Sequence, residues 1–136
     1  MTISAYIRLF LPLLLLSSLA TGAESVTGQL KNKSWTAKTA EIAKGFPPDE
    51  SRWVVRLSAG ETEPGLTLSV PRKVGVHPFG GIVRATMFVP PGENEAAKSG
   101  TIEVVSIGER VELKVDITVN DTDKVAGTIS FLVPKN

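Results

Sequence analysis

The stretch Val111-Glu112-Leu113-Lys114-Val115-Asp116-Ile117-Thr118-Val119 decides the fold. Its odd-numbered residues are all apolar and its even-numbered residues are all polar. A period of two places these sets on opposite sides of an extended chain, so the pattern predicts a strand with one dry and one wet face. The flanks suggest its neighbours. Upstream, Thr101–Ile107 reads as a strand, and Gly108-Glu109 suits a type II′ hairpin turn because glycine accepts the positive φ of its first central position. That register sets Val104 against Leu113, Ile102 against Val115 and Glu103 against Lys114. Downstream, Asn120–Lys124 reads as a polar turn, pairing Val119 with Val125, Ile117 with Gly127, Val115 with Ile129, Leu113 with Phe131 and Val111 with Val133. Both registers leave the same face dry, so 101–133 is expected to form a three-stranded meander.

Towards the N-terminus the same signals recur. Val26–Leu30 and Trp35–Ala43 read as strands about a two-residue Asn32-Lys33 turn, which pairs Leu30 with Trp35 and Gly28 with Ala37. Gly28 would leave room for the Trp35 ring. Trp53–Ser58 points Trp53, Val55 and Leu57 inward; Leu66–Val70 does the same with Leu66, Leu68 and Val70. Ile82–Val89 buries Val83, Ala85, Met87 and Val89, and turns Arg84 and Thr86 outward. Pro71 lacks an N–H and is expected to end pairing or mark a sheet edge. Glu93–Lys98 has room for one helical turn. About eight strands separated by Gly and Pro turns predict an all-β fold, a single antiparallel β-sandwich or a partly open barrel.

Ahead of this domain, Met1–Ala23 has the order of a secretory signal peptide. One basic residue, Arg8, precedes the apolar Leu9–Ala20, and the small residues Thr21, Gly22 and Ala23 follow. The apolar run is shorter than a spanning helix needs. Cleavage after Ala23, or alternatively after Ala20, is expected to deliver a secreted or periplasmic domain, residues 24–136, with no membrane insertion. Removing Arg8 from the 15 basic residues leaves 14 against 14 acidic ones. A neutral domain without a basic run has no footprint for nucleic acid. The absence of cysteine from the chain excludes disulfides and thiolate chemistry, and fits a bacterial envelope better than a eukaryotic exterior.

Few residues suggest chemistry. His77 is the one histidine, and a metal site would need further ligands that neither a second histidine nor a cysteine supplies. No Gly-x-Ser-x-Gly elbow is present. The pairs Glu61/Glu63, Glu93/Glu95 and Asp121/Asp123 fall in expected turns or loops, where carboxylates are solvated. Asn120–Asp123 lacks the glycine and distal glutamate of a calcium loop. Asn32-Lys33-Ser34 and Asn120-Asp121-Thr122 match the glycosylation pattern at positions where turns favour asparagine anyway. Trp35 and Trp53 fall on apolar faces. The irregular segment 72–81 is the best binding candidate, with Arg72, Lys73, His77 and Phe79 beside Gly80-Gly81; its plain alternative is a connector between sheets.

The Gly28-x-Leu30 strand before a Lys/Asn turn and Trp35, the Gly100–Val104 strand, and Val125-Ala126-Gly127-Thr128-Ile129-Ser130-Phe131 together carry a resemblance. They resemble small exported bacterial β-sandwich domains of uncharacterised function. The resemblance implies a fold and an address and transfers no catalytic residue. The leading expectation is a non-catalytic exported protein, without cofactor, that binds a protein or envelope component. The alternatives are a small hydrolase or metal-dependent enzyme centred on His77, and a structural envelope subunit assembling through edge strands, with Pro71 as one such edge.

Overall fold

The computed structural model describes residues 25–47 and 49–134; the Met1–Ala23 leader lies outside them. Eleven strands run in chain order: β1 (Ser25–Leu30), β2 (Lys33–Thr36), β3 (Thr39–Ile42), β4 (Arg52–Ser58), β5 (Gly65–Pro71), β6 (Gly75–Pro78), β7 (Arg84–Val89), β8 (Glu93–Ala96), β9 (Ser99–Ile107), β10 (Arg110–Thr118) and β11 (Lys124–Leu132). They form two antiparallel sheets packed face to face and not closed into a barrel. One sheet has six strands in the order β2-β1-β11-β10-β9-β6, the other five in the order β3-β4-β5-β7-β8.

Three of the eleven strands arise where sequence periodicity is weakest. The expected Trp35–Ala43 strand divides because the chain changes sheets there. The Ala37 N–H bonds the Val26 carbonyl at 2.9 Å, and the next N–H, that of Lys38, bonds the Ser58 carbonyl at 2.7 Å. Segment 72–81 crosses between the sheets and contributes β6 to the edge of β9, so the connector reading describes its course. Glu93–Ala96 is strand rather than helical turn, because β7 offers it a free edge from Thr86 to Val89. Four residues make a poor helix but a sufficient ladder.

β10 is the interior strand that its alternation predicts. Val111, Leu113, Val115 and Ile117 are buried and Glu112, Lys114 and Asp116 exposed. Its upstream register is as read from Leu113 onward, with Val104, Glu103 and Ile102 opposite Leu113, Lys114 and Val115. Nearer the turn the register shifts, leaving Val105 unpaired between Val104 and Ser106. Gly108 does not adopt positive φ, so the expected II′ turn is replaced by a bulged connection. Glu103 and Lys114 face each other without an ion pair within 4 Å among the described residues.

Two other registers differ from expectation by two residues. Leu113 meets Ile129 rather than Phe131, and Val111 meets Phe131. Gly28 meets Trp35 rather than Ala37. A two-residue slip keeps every side chain on its expected face, which is why hydrophobic pattern alone did not distinguish the registers. Both slips move a turn one residue earlier, and Asp123 explains both. Only 3% exposed, it accepts the Asn32 N–H at 3.2 Å, tying the two turns together. Asn120 Oδ1 takes the N–H groups of Thr122 (3.0 Å) and Asp123 (2.9 Å), and the Asp123 carbonyl takes that of Val119 at 2.8 Å. With Lys31 and Asn32 held at φ 53° and 63°, the first turn has both central residues left-handed.

The inner faces share one core. Trp53 of the five-stranded sheet meets Phe131 of the six-stranded sheet edge to face, with centroids 5.5 Å apart. The buried Trp35 donates its indole N–H to the Pro64 carbonyl at 2.6 Å, fastening the edge of one sheet to a turn of the other. Gly28 stands between Trp35 and Val125, where a Cβ would collide with the Lys124 carbonyl. Pro71 is buried at the end of β5, the middle strand of its sheet. It therefore does not mark a sheet edge. Pairing with β7 has already ended at Ser69, so its missing N–H costs no ladder bond there.

Candidate functional site

Alternation along β4 turns Trp53, Val55 and Leu57 into the core and leaves Arg52, Val54, Arg56 and Ser58 on the outer side. Pairing sets Val54 beside Ser69 and Ser69 beside Arg84; it also aligns Arg56, Thr67 and Thr86. The outer face of the five-stranded sheet is thus a shallow concavity of about 440 Å³, lined by Arg52, Arg56 and Arg84 with Phe46, Val54, Thr67, Ser69, Thr86, Phe88 and Asn94. Among the described residues no carboxylate and no lysine lines it.

Each arginine is held differently. Arg52 donates from Nη1 to Ser69 Oγ at 3.0 Å and from Nε to Asp49 Oδ2 at 3.2 Å. Asp49 also accepts the Ser51 hydroxyl (2.6 Å) and N–H (2.8 Å). Those bonds from Ser51, with a smaller contribution from Arg52, lower its carboxyl below the usual range and keep it anionic. The Arg56 guanidinium lies 5.8 Å from the Phe88 ring centroid, a cation–π distance. That position carries it towards β7 and away from Glu41, its opposite number on β3, with which it forms no ion pair. Gly65, opposite Phe88, has no side chain to separate them. Arg84 also lacks an ion pair among the described residues. Two of the three guanidiniums therefore form no ion pair among the described residues.

A second concavity of about 600 Å³ adjoins this face at the end of the sandwich, and Phe46, Arg52 and Val54 border both. There Arg72 stacks 5.2 Å from the Trp53 ring and donates to the Arg52 carbonyl at 3.2 Å. Asp49 and Glu50 balance the charge at that end. Of the five arginines among the described residues, only Arg110 lies away from these two hollows.

The residues singled out in 72–81 do not converge on one site. Arg72 belongs to the Trp53 end. His77 sits on edge strand β6 opposite Ile102, and its Nε2 lies 2.8 Å from the Lys73 carbonyl, which accepts the bond. Phe79 packs against the core and donates its N–H to the Gly100 carbonyl at 3.0 Å. Among the described residues no group of three His, Asp or Glu could hold a metal ion. Asp123 departs from the expected solvated turn carboxylate. Burial raises its pKa, but bonds from the Asn32 N–H, the Asn120 amide, the Lys31 N–H and Thr122 outweigh that and lower it. Trp35 and Trp53 are buried and offer no stacking platform.

Alternation turns Arg56 and Arg84 outward, yet the sequence alone gives neither a role. The overlooked signal is residue type: the outward cations here are arginine, while the lysines lie elsewhere. No family model, curated protein or solved structure matches the chain.

Proposed function

We propose that the protein is an exported, non-catalytic β-sandwich that binds an anionic envelope or extracellular component through the outer face of its five-stranded sheet. The supporting observation is the concavity with three guanidiniums and no carboxylate in its lining. Arg56 and Arg84 lie outside any ion pair among the described residues, and guanidiniums suit oxyanions through paired N–H donors. The signal-like order of Met1–Ala23 supports export to a periplasm or exterior. The His77 reading has less support, since its ring bonds a carbonyl of its own loop.

Retention on immobilised polyanions tests the proposal. Polycarboxylate, polysulfate and polyphosphate resins are offered to the full chain in turn. At least one is expected to retain it in dilute salt. Arg56→Gln with Arg84→Gln should abolish retention, whereas Lys114→Gln on the opposite sheet should not. Retention by none, or equal loss in both variants, would remove the face from the function. N-terminal sequencing of the exported protein checks the address: a start at Glu24 or Thr21 is expected, and a start at Met1 overturns it.

A further inference from the structure

Resting on that binding face, we infer that its ligand is an acidic glycan, a sugar polymer bearing carboxylates that lies across β4, β5 and β7. Three features of the face lead there. Arg56 and Arg84 stand on adjacent outward rows, about 7 Å apart along the strands at two residues per row. Each has N–H groups free for a carboxylate. The positions between them carry hydroxyls rather than further charges, Thr67 and Thr86 on one row and Ser69 on the next. The partly exposed Thr67 and Thr86 offer both donors and acceptors to sugar hydroxyls, while the buried Ser69 holds Arg52 in place. Phe88 and the 52% exposed Phe46 border the same hollow and supply apolar surface for the C–H face of a sugar ring.

Shape and charge narrow the class. The hollow is shallow, whereas sites for small ligands enclose most of their occupant. It suits a chain that passes across and continues in both directions. Nucleic acid fits less well, because its binders typically neutralise several phosphates, and only two guanidiniums here stand outside an ion pair among the described residues.

Affinity electrophoresis of the full chain in native gels separates the outcomes. The gels contain polygalacturonate, polyglutamate, polyphosphate or neutral dextran. Polygalacturonate is expected to retard the protein most and dextran not at all. Arg56→Gln and Arg84→Gln should each weaken retardation about tenfold, which corresponds to about 1.4 kcal/mol. Phe88→Leu should weaken binding to polygalacturonate but not to polyglutamate. Lys114→Gln should change nothing, and unchanged thermal unfolding confirms that each variant is folded. If polyglutamate or polyphosphate is held better through the same arginines, the glycan assignment is wrong and the face stands. If no polyanion is held, or Lys114→Gln loses as much as the arginine variants, the face and the glycan fall together.

Discussion

The outer faces of the two sheets are built by the same alternation and treat charge in opposite ways. Along β10 the outward residues are Arg110, Glu112, Lys114 and Asp116, alternating in sign within one strand. Arg110 is further occupied by Ser130, bonding its Oγ at 2.9 Å and its carbonyl at 3.2 Å. Such a face neutralises itself and needs nothing from outside. On the five-stranded sheet Arg52, Arg56 and Arg84 repeat one sign across β4 and β7; among the described residues only Arg52 forms an ion pair, although Glu41 of β3 stands opposite Arg56. Net charge near zero conceals this difference: Glu41 stands opposite Arg56 on this face, whereas the strand neighbour of Arg84 is the uncharged Ser69. A face that gathers three guanidiniums, two of them outside any ion pair among the described residues, is the one where an external anion gains most.

The comparison requires that the inner faces be equivalent, so that only the outer ones differ. Leu113 on β10 and Leu68 on β5 are both 0% exposed, one from each sheet. Leu113→Ala and Leu68→Ala are each expected to cost about 2–5 kcal/mol in urea unfolding. Should one cost far less than the other, the sheets do not share a core and the comparison fails at its base.

A smaller effect is expected at the turn that closes the six-stranded sheet. Asp123→Ala leaves the Asn32 N–H without its acceptor and takes one of two acceptors from the Asn120 amide, which keeps Glu95, a loss of about 1–3 kcal/mol. The sign of its pH dependence follows from a carboxyl whose folded pKa is lowered. Its contribution is fully present above the ordinary aspartate range and is lost as pH falls through the folded value. Unfolding midpoints for the two proteins should therefore differ most near neutrality and converge in acid. A gap that is constant with pH would mean that Asp123 acts through packing alone.

Asp123 also marks where sequence reading stops. Faces were legible everywhere that period two persists: each inward residue named on β4, β5 and β10 is buried. Registers were legible in the body of β9–β10, where both partners have strong patterns, and missed where a turn is positioned by a carboxylate 91 residues away in the chain. The candidate site was less legible still. Its arginines lie on strands separated by as many as 32 residues, from Arg52 to Arg84, and meet only after β5 pairs on both sides. The 72–81 segment drew attention because its cations and ring are adjacent in sequence, a proximity that folding disperses between the Trp53 end and the β6 edge.

On the self-neutralised face, Lys114→Ala should cost at most about 1 kcal/mol, as an exposed charge facing Glu103 without direct contact. Added salt should narrow even that difference. A loss near that of Leu113→Ala would mean that the wet and dry sides of β10 have been exchanged.

The smallest effect on folding is expected on the arginine face, and it is the most informative. Arg56→Gln and Arg84→Gln remove exposed cations that form no ion pair among the described residues, so each should change stability by no more than about 0.5 kcal/mol. The change should lean towards greater stability in low salt, where repulsion within the cluster is least screened. Arg52→Gln provides the contrast, since it breaks bonds to both Asp49 and Ser69 and leaves the buried Ser69 hydroxyl without its donor. It should cost more than either neighbour. Urea unfolding at two salt concentrations ranks the three. If Arg56 and Arg84 prove as costly to remove as Arg52, they are structural and the face is no more available to a ligand than the one formed by β10. If they prove dispensable, folding gives no reason for their presence, and binding is left to account for it.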